Sequence, residues 1–191
     1  MQQQHFPERR RSLFDYAKLS QAHVLELGCV LLGLACEAVA DILFSSEMGR
    51  AGTGLLALAL KPLVRKYTAT DIPALVPLLR KNLLSASVTV TSLDWTLPAL
   101  RQVDVRGADA PDLLLVVDCI YHPALVRPLL TTLTSLATPQ HTAVVVVAEL
   151  RAEDVLREFL EGWIAMGWQV WSVGEDLLGA RWGMWVAWRE T

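Results

Sequence analysis

Four consecutive valines, Val144 to Val147, stand in the run 142–148 with no charged residue among them. A β-branched run without alternation keeps no polar face for water, so it predicts a strand buried on both sides. A second such run, Leu113-Leu114-Leu115-Val116-Val117, ends abruptly in Asp118. Sheets covered on both faces belong to α/β proteins, where helices pack against mostly parallel strands. The rest of the chain alternates accordingly. Strands are expected at 24–27, 66–70, 88–93, 113–117 and 142–148, and helices at 55–60, 73–84, 123–136 and 152–166. Pro73 and Pro123 suit the first turn of a helix, where a missing N–H costs little. Two further strand-like runs, 168–173 and 182–188, are joined by a loop containing Gly174 and Gly179. That loop is too short for a helical crossover, so the pair is expected to be antiparallel.

Composition narrows the class. With 191 residues, the chain has room for one domain with a sizeable core. A net charge of −3 supplies no global basic field for holding nucleic acid. The run Arg9-Arg10-Arg11 reads as a solvated terminus. Cys29, Cys36 and Cys119 show no paired metal spacing, so neither a zinc site nor a disulfide framework is expected, and a reducing compartment fits. No apolar run reaches the ~18 residues of a membrane span. The nearest, 24–44, is broken by Glu26, Glu37 and Asp41. These features predict a soluble intracellular protein, cytoplasmic with the nucleus as a second option, acting on neither membrane nor nucleic acid.

Chemistry collects at the predicted carboxyl ends of the strands, where open α/β sheets bind ligands. Gly28, Gly52 and Gly54 follow the first strand and could let the backbone turn tightly toward a ligand, or be ordinary loop glycines. Asp71 closes the second strand. It could accept from ribose hydroxyls, or cap a helix beginning near Pro73. Asp94 and Trp95 follow the third strand and could hold the edge and face of an adenine; Trp95 could equally fill the rim of the sheet. Asp118 begins an Asp-x-x-Tyr sequence ending at Tyr121. An acid there is costly unless paired, solvated or functional. A helix cap with a core tyrosine is the other reading. No Gly-x-Ser-x-Gly elbow or complete phosphate loop occurs, and His5, His23, His122 and His141 are scattered. The tryptophans from Trp163 to Trp188 read as core and edge packing.

One segment interrupts the pattern. VLELGC, starting at Val24, and GTGLLALAL, starting at Gly52, would form strand, glycine turn and helix if residues 30–51 were absent. The segment is read as an insertion, either an added helix or a translated intron.

Taken with YTATDIP, RKNL, SLDWT, DLLLVVDCIYHPALVRPLL and AELRAEDVLREFL, these stretches resemble the seven-β-strand (class I) S-adenosylmethionine-dependent methyltransferases. The nearest resemblance is to methyltransferase family 16, in its fungal branch, many of whose members methylate protein lysines. The resemblance covers most of the chain from Val24 onward. It implies a Rossmann-like seven-stranded, mostly parallel sheet with an antiparallel C-terminal strand and helices on both faces. It divides the chain into a short N-terminal segment, 1–23, for which truncation is one reading, and a methyltransferase domain, 24–191, carrying the insertion. S-adenosyl-L-methionine is the implied cofactor. Glu26, Gly28, Gly52 and Gly54 would line its amino-acid end, Asp71 its ribose, and Asp94 with Trp95 its adenine. Asp118 and Tyr121 are the implied catalytic pair, lying where methyl group and acceptor amine meet, with Asp118 also on the cofactor. The implied partner is a protein presenting a lysine. Two other readings stay open: a methyltransferase of small molecules, and a fold kept as a binding module with its cofactor loop broken.

Overall fold

Val144, Val145, Val146 and Val147 are each at most 6% exposed. They form the middle of a strand in the computed structural model, which describes residues 16–28, 54–97, 109–173 and 180–190. Strands β1 (His23–Leu27), β2 (Lys66–Asp71), β3 (Thr89–Ser92), β4 (Leu113–Val117), β5 (Ala143–Glu149), β6 (Gln169–Val173) and β7 (Trp182–Trp188) make one sheet. Its spatial order is β3-β2-β1-β4-β5-β7-β6. The first five strands pair in parallel. Strand β7 lies antiparallel to both β5 and β6, as the short 173–182 connection requires.

Period-two alternation assigns each strand residue to one of two cores. Leu25, Leu27, Leu114, Val116, Val144 and Val146 meet helices α4 (Pro123–Leu136) and α5 (Glu153–Ala165), whose Leu129, Leu133, Phe159 and Trp163 are buried against them. Val24, Tyr67, Leu115, Val145 and Val147 share the opposite core with α2 (Leu55–Leu60) and with Leu79 of α3 (Val76–Asn82). A short helix α1 (Tyr16–Leu19) and a 3-10 turn (Lys61–Leu63) complete the described elements. Trp163, Trp168 and Trp188 are at most 3% exposed, and Trp171 stacks on Trp188 with centroids 4.3 Å apart. These tryptophans are therefore core, as the sequence suggested.

One helix start differs. The expected 73–84 helix begins only at Val76, and Pro77 rather than Pro73 occupies its first turn. The N–H of Leu75 bonds back to the Ile72 carbonyl at 2.9 Å, closing a turn that takes up Pro73. The expected insertion 30–51 lies outside the described residues, as does the 1–23 segment before residue 16.

This topology fixes where a site can be. Strand β1 has β2 on one side and β4 on the other, so the connections run in opposite directions from it. The crevice outside the carboxyl ends of β1 and β4 is then the ligand-binding position of an open α/β sheet.

Candidate active site

Strand register brings the predicted residues to one edge of the sheet. Leu27 pairs with Thr70 and with Val116, and Asp71 pairs with Ser92. The residues that follow, Gly28, Asp94 and Asp118, therefore emerge at the same end as Asp71. Gly28 extends the β1–β2 ladder by donating to the Thr70 carbonyl at 3.1 Å, and then turns at φ +73°. A Cβ there would come within 3.0 Å of the Trp95 ring and 3.1 Å of Cys119 Sγ. Only glycine combines this left-handed turn with that closeness.

The thiol of Cys119 donates to the Leu27 carbonyl at 3.3 Å, tying the loop after β4 to the end of β1. Burial pushes this thiol's pKa well up, so it remains a weak neutral donor and not a nucleophile. Trp95 packs beside it on the α4–α5 side of the sheet. Its indole N–H is buried with no hydrogen-bond partner among the described residues.

Glu26 is 4% exposed within β1 and accepts from the Tyr67 hydroxyl at 2.8 Å. Thr70 Oγ1 donates to the Glu26 carbonyl at 2.7 Å. Asp71, 7% exposed, accepts from the Ile72 N–H at 2.7 Å. It is not a helix cap, since α3 starts from Leu75 with no side-chain cap. Asp94 accepts from Thr96 through both its N–H and its hydroxyl, which holds the turn after β3. Gly54, at φ +97°, precedes α2, and a Cβ there would come within 2.9 Å of the Leu83 side chain. Gly52 lies outside the described residues.

Asp118 is 1% exposed and adopts φ +51°, a left-handed conformation that aspartate tolerates better than most residues. It does not cap α4. His122 does, accepting from the Ala124 N–H at 3.2 Å. The Asp118 carboxylate instead pairs with Arg151 Nη2 at 3.0 Å. Arg151 Nη1 reaches Glu149 at 2.9 Å, and Glu149 accepts from Arg181 Nε at 2.7 Å. Burial raises the Asp118 pKa, while the Glu149 N–H and the Arg151 guanidinium oppose the rise. Tyr121 is 38% exposed, so it is a rim residue and not a core tyrosine. Partial burial, with Cys119, Asp71 and Asp118 nearby, raises its pKa, so the phenol keeps its proton at neutral pH.

Arg151 and Glu149 are the residues that spacing did not reveal. Their signal was the arginine two residues past a buried acid-terminated strand, but the partner of that arginine lies 33 residues away. Among the described residues no group of His, Cys, Asp or Glu could hold a metal ion, and no helix is long and apolar enough to cross a membrane.

A parallel sheet of this order, ending in an antiparallel pair and lined with acids at its carboxyl edge, defines a class I methyltransferase fold. The lysine methyltransferase family model (methyltransferase family 16) matches residues 40–162, and the chain belongs to that family. A Schizosaccharomyces pombe diaminohydroxyphosphoribosylamino-pyrimidine deaminase is 34% identical over 120 residues, covering 60% of this chain and 29% of that protein. Ribosomal lysine N-methyltransferase 5 of Eremothecium gossypii is 29% identical over 150 residues, covering 60% of this chain and 47% of that protein. The chain thus spans less than half the length of these two curated relatives. Among solved structures, an S-adenosylmethionine-dependent methyltransferase from Clostridium acetobutylicum superposes with a TM-score of 0.61 at 9% identity, covering 96% of this chain and 89% of that one. At that identity the likeness shows the fold.

Proposed function

We propose that this chain is an S-adenosyl-L-methionine-dependent methyltransferase that modifies a lysine side chain of a protein. The observation carrying the proposal is the convergence of Gly28, Asp71 and Asp118 at the carboxyl ends of β1, β2 and β4, in a chain of the lysine methyltransferase family. The residues suit the cofactor. The turn at Gly28 leaves no space for a side chain, Asp71 is a buried acceptor at ribose height in such folds, and Trp95 has a buried donor to spare.

Glu26, Gly28 and Gly54 would hold the amino-acid end, a role that Gly52 would share; Asp71 would take the ribose, and Asp94 with Trp95 the adenine. When bound, the cofactor supplies an electrophilic methyl group on a sulfonium, open to in-line displacement by a nitrogen. The chain's own part is to orient a neutral amine, exclude water and accept N–H bonds. Tyr121, protonated and at the rim, would orient the acceptor nitrogen, and Asp118 would stand behind it. Positioning of this kind supplies much of the effect in such displacements.

The deaminase relative does not favour another chemistry. Zinc deaminases require an H-x-E and a C-x-x-C sequence, and this chain contains neither. Radiolabelled S-adenosylmethionine incubated with the chain and extract proteins tests the proposal. Methyl-lysine recovered from labelled protein is expected. Label found only in small molecules would favour the small-molecule alternative, and absence of cofactor binding would favour the binding module.

A further inference from the structure

Asp118 sits where a carboxylate is hardest to keep charged, since it is 1% exposed and held in a left-handed turn. A carboxylate taken out of water is strongly disfavoured unless donors replace its lost hydration. The donors here are unequal. The Glu149 N–H stands 3.4 Å from Oδ1, a long bond, whereas Arg151 Nη2 stands 3.0 Å from Oδ2. The same guanidinium uses Nη1 on Glu149, which is 8% exposed and is held in turn by Arg181. Register explains the meeting: Val117 pairs with Val147, so the residue after β4 faces the end of β5 and the turn beyond it.

We propose that Arg151 is a positioning residue of the methyl-transfer site, its guanidinium fixing the Asp118 carboxylate in one orientation and in its charged form. The role rests on the methyltransferase reading above; the ion pair itself does not. An arginine fork suits this task because it is planar, always charged and able to grip two carboxylates at once. It also changes what Asp118 offers an acceptor. A bare buried carboxylate would favour the ammonium form of a lysine, which cannot attack. A carboxylate already paired with a cation can accept an N–H bond while stabilising the ammonium less.

Among the described residues, the titratable and charged groups near Asp118 come from three places. Arg151 and Glu149 come from the end of β5 and the turn after it, Cys119 and Tyr121 share its own loop, and Asp71 acts on both of these from β2. Arg151 is the cation that offsets burial and Glu149. Removing it leaves only the Glu149 N–H against those two, so the carboxylate would take up a proton at higher pH than in the wild type.

The test follows the carboxyl carbon of Asp118 by 13C NMR, its resonance assigned through loss in Asp118→Asn. Titration at higher pH is expected in Arg151→Met, with return toward wild type in Arg151→Lys. Turnover in Arg151→Met is expected to fall about ten- to a hundred-fold with cofactor affinity little changed, and its acid limb to move to higher pH. Should Arg151→Met fail to fold, Arg151→Gln, which lacks the charge but keeps a donor, carries the same expectation. An unmoved titration, or a loss of cofactor affinity as large as the loss of turnover, would overturn the proposal. The titration needs no turnover, so its failure is a failure of Arg151's role. Absence of methyl transfer by the wild type is instead a failure of the methyltransferase reading.

Discussion

The Tyr67 hydroxyl donates to Glu26 across the β1–β2 pair at 2.8 Å, with both side chains buried. Register places Val24 opposite Tyr67 and Glu26 opposite Ala69, so the two are diagonal neighbours on one face. A hydrogen bond to a buried charged group is worth about 1.5–3 kcal/mol. Tyr67→Phe is therefore expected to lower unfolding free energy by roughly that amount while the fold persists. Urea unfolding with an unchanged slope checks it; an unaltered midpoint would mean that Glu26 does not depend on the phenol.

Asp71→Asn retains an oxygen for the Ile72 N–H and removes the charge. Loss of a charge-assisted bond to ribose is expected to weaken S-adenosylmethionine binding about ten- to a hundred-fold, with little change in stability. Calorimetric titration decides the matter. Wild-type affinity in the folded variant would remove Asp71 from the site.

Tyr121→Phe is expected to reduce methyl transfer more than cofactor affinity. The residue is 38% exposed at the rim, and Asp118 lies three positions earlier at the mouth of β4. Comparing turnover with calorimetric affinity separates the two roles. Equal losses in both would assign the phenol to cofactor binding.

Joining Cys29 directly to Gly52 is expected to raise cofactor affinity by about tenfold or more, because small displacements at a site built on close backbone approach are expensive. Both flanks adopt the left-handed conformation that glycine permits: Gly28 leaves β1 at φ +73° and Gly54 enters α2 at φ +97°. Loop closure changes slowly with length, so little change in stability is expected. Tight binding by the full chain with no gain on deletion would show that residues 30–51 do not disturb the site.

Much of this architecture was legible because local pattern and tertiary demand agree. Strands β4 and β7 and helices α2 and α4 have the bounds that their apolar runs and Pro123 dictate. The start of α3 was not legible, since Pro73 and Pro77 both suit a first turn and only the Leu75–Ile72 bond selects the later one. Gly28, Asp71 and Asp118 could be found because each ends a strand. The guanidinium on Asp118 could not, because residues 118 and 151 meet only through the β4–β5 register. His122 likewise took the capping role that a carboxylate would more commonly fill.

The place of β7 between β5 and β6 has a consequence for biosynthesis. A ribosome finishes β5 and then makes α5 and β6 before the strand that separates them exists. Until residues 182–188 emerge, the Val144–Glu149 edge has its β4 partner but lacks its second neighbour. An apolar strand edge left open is a template for pairing with other chains. Nascent or prematurely ended chains stopping short of Trp182 would therefore need shielding by a chaperone, whereas the finished sheet closes that edge with its own last strand.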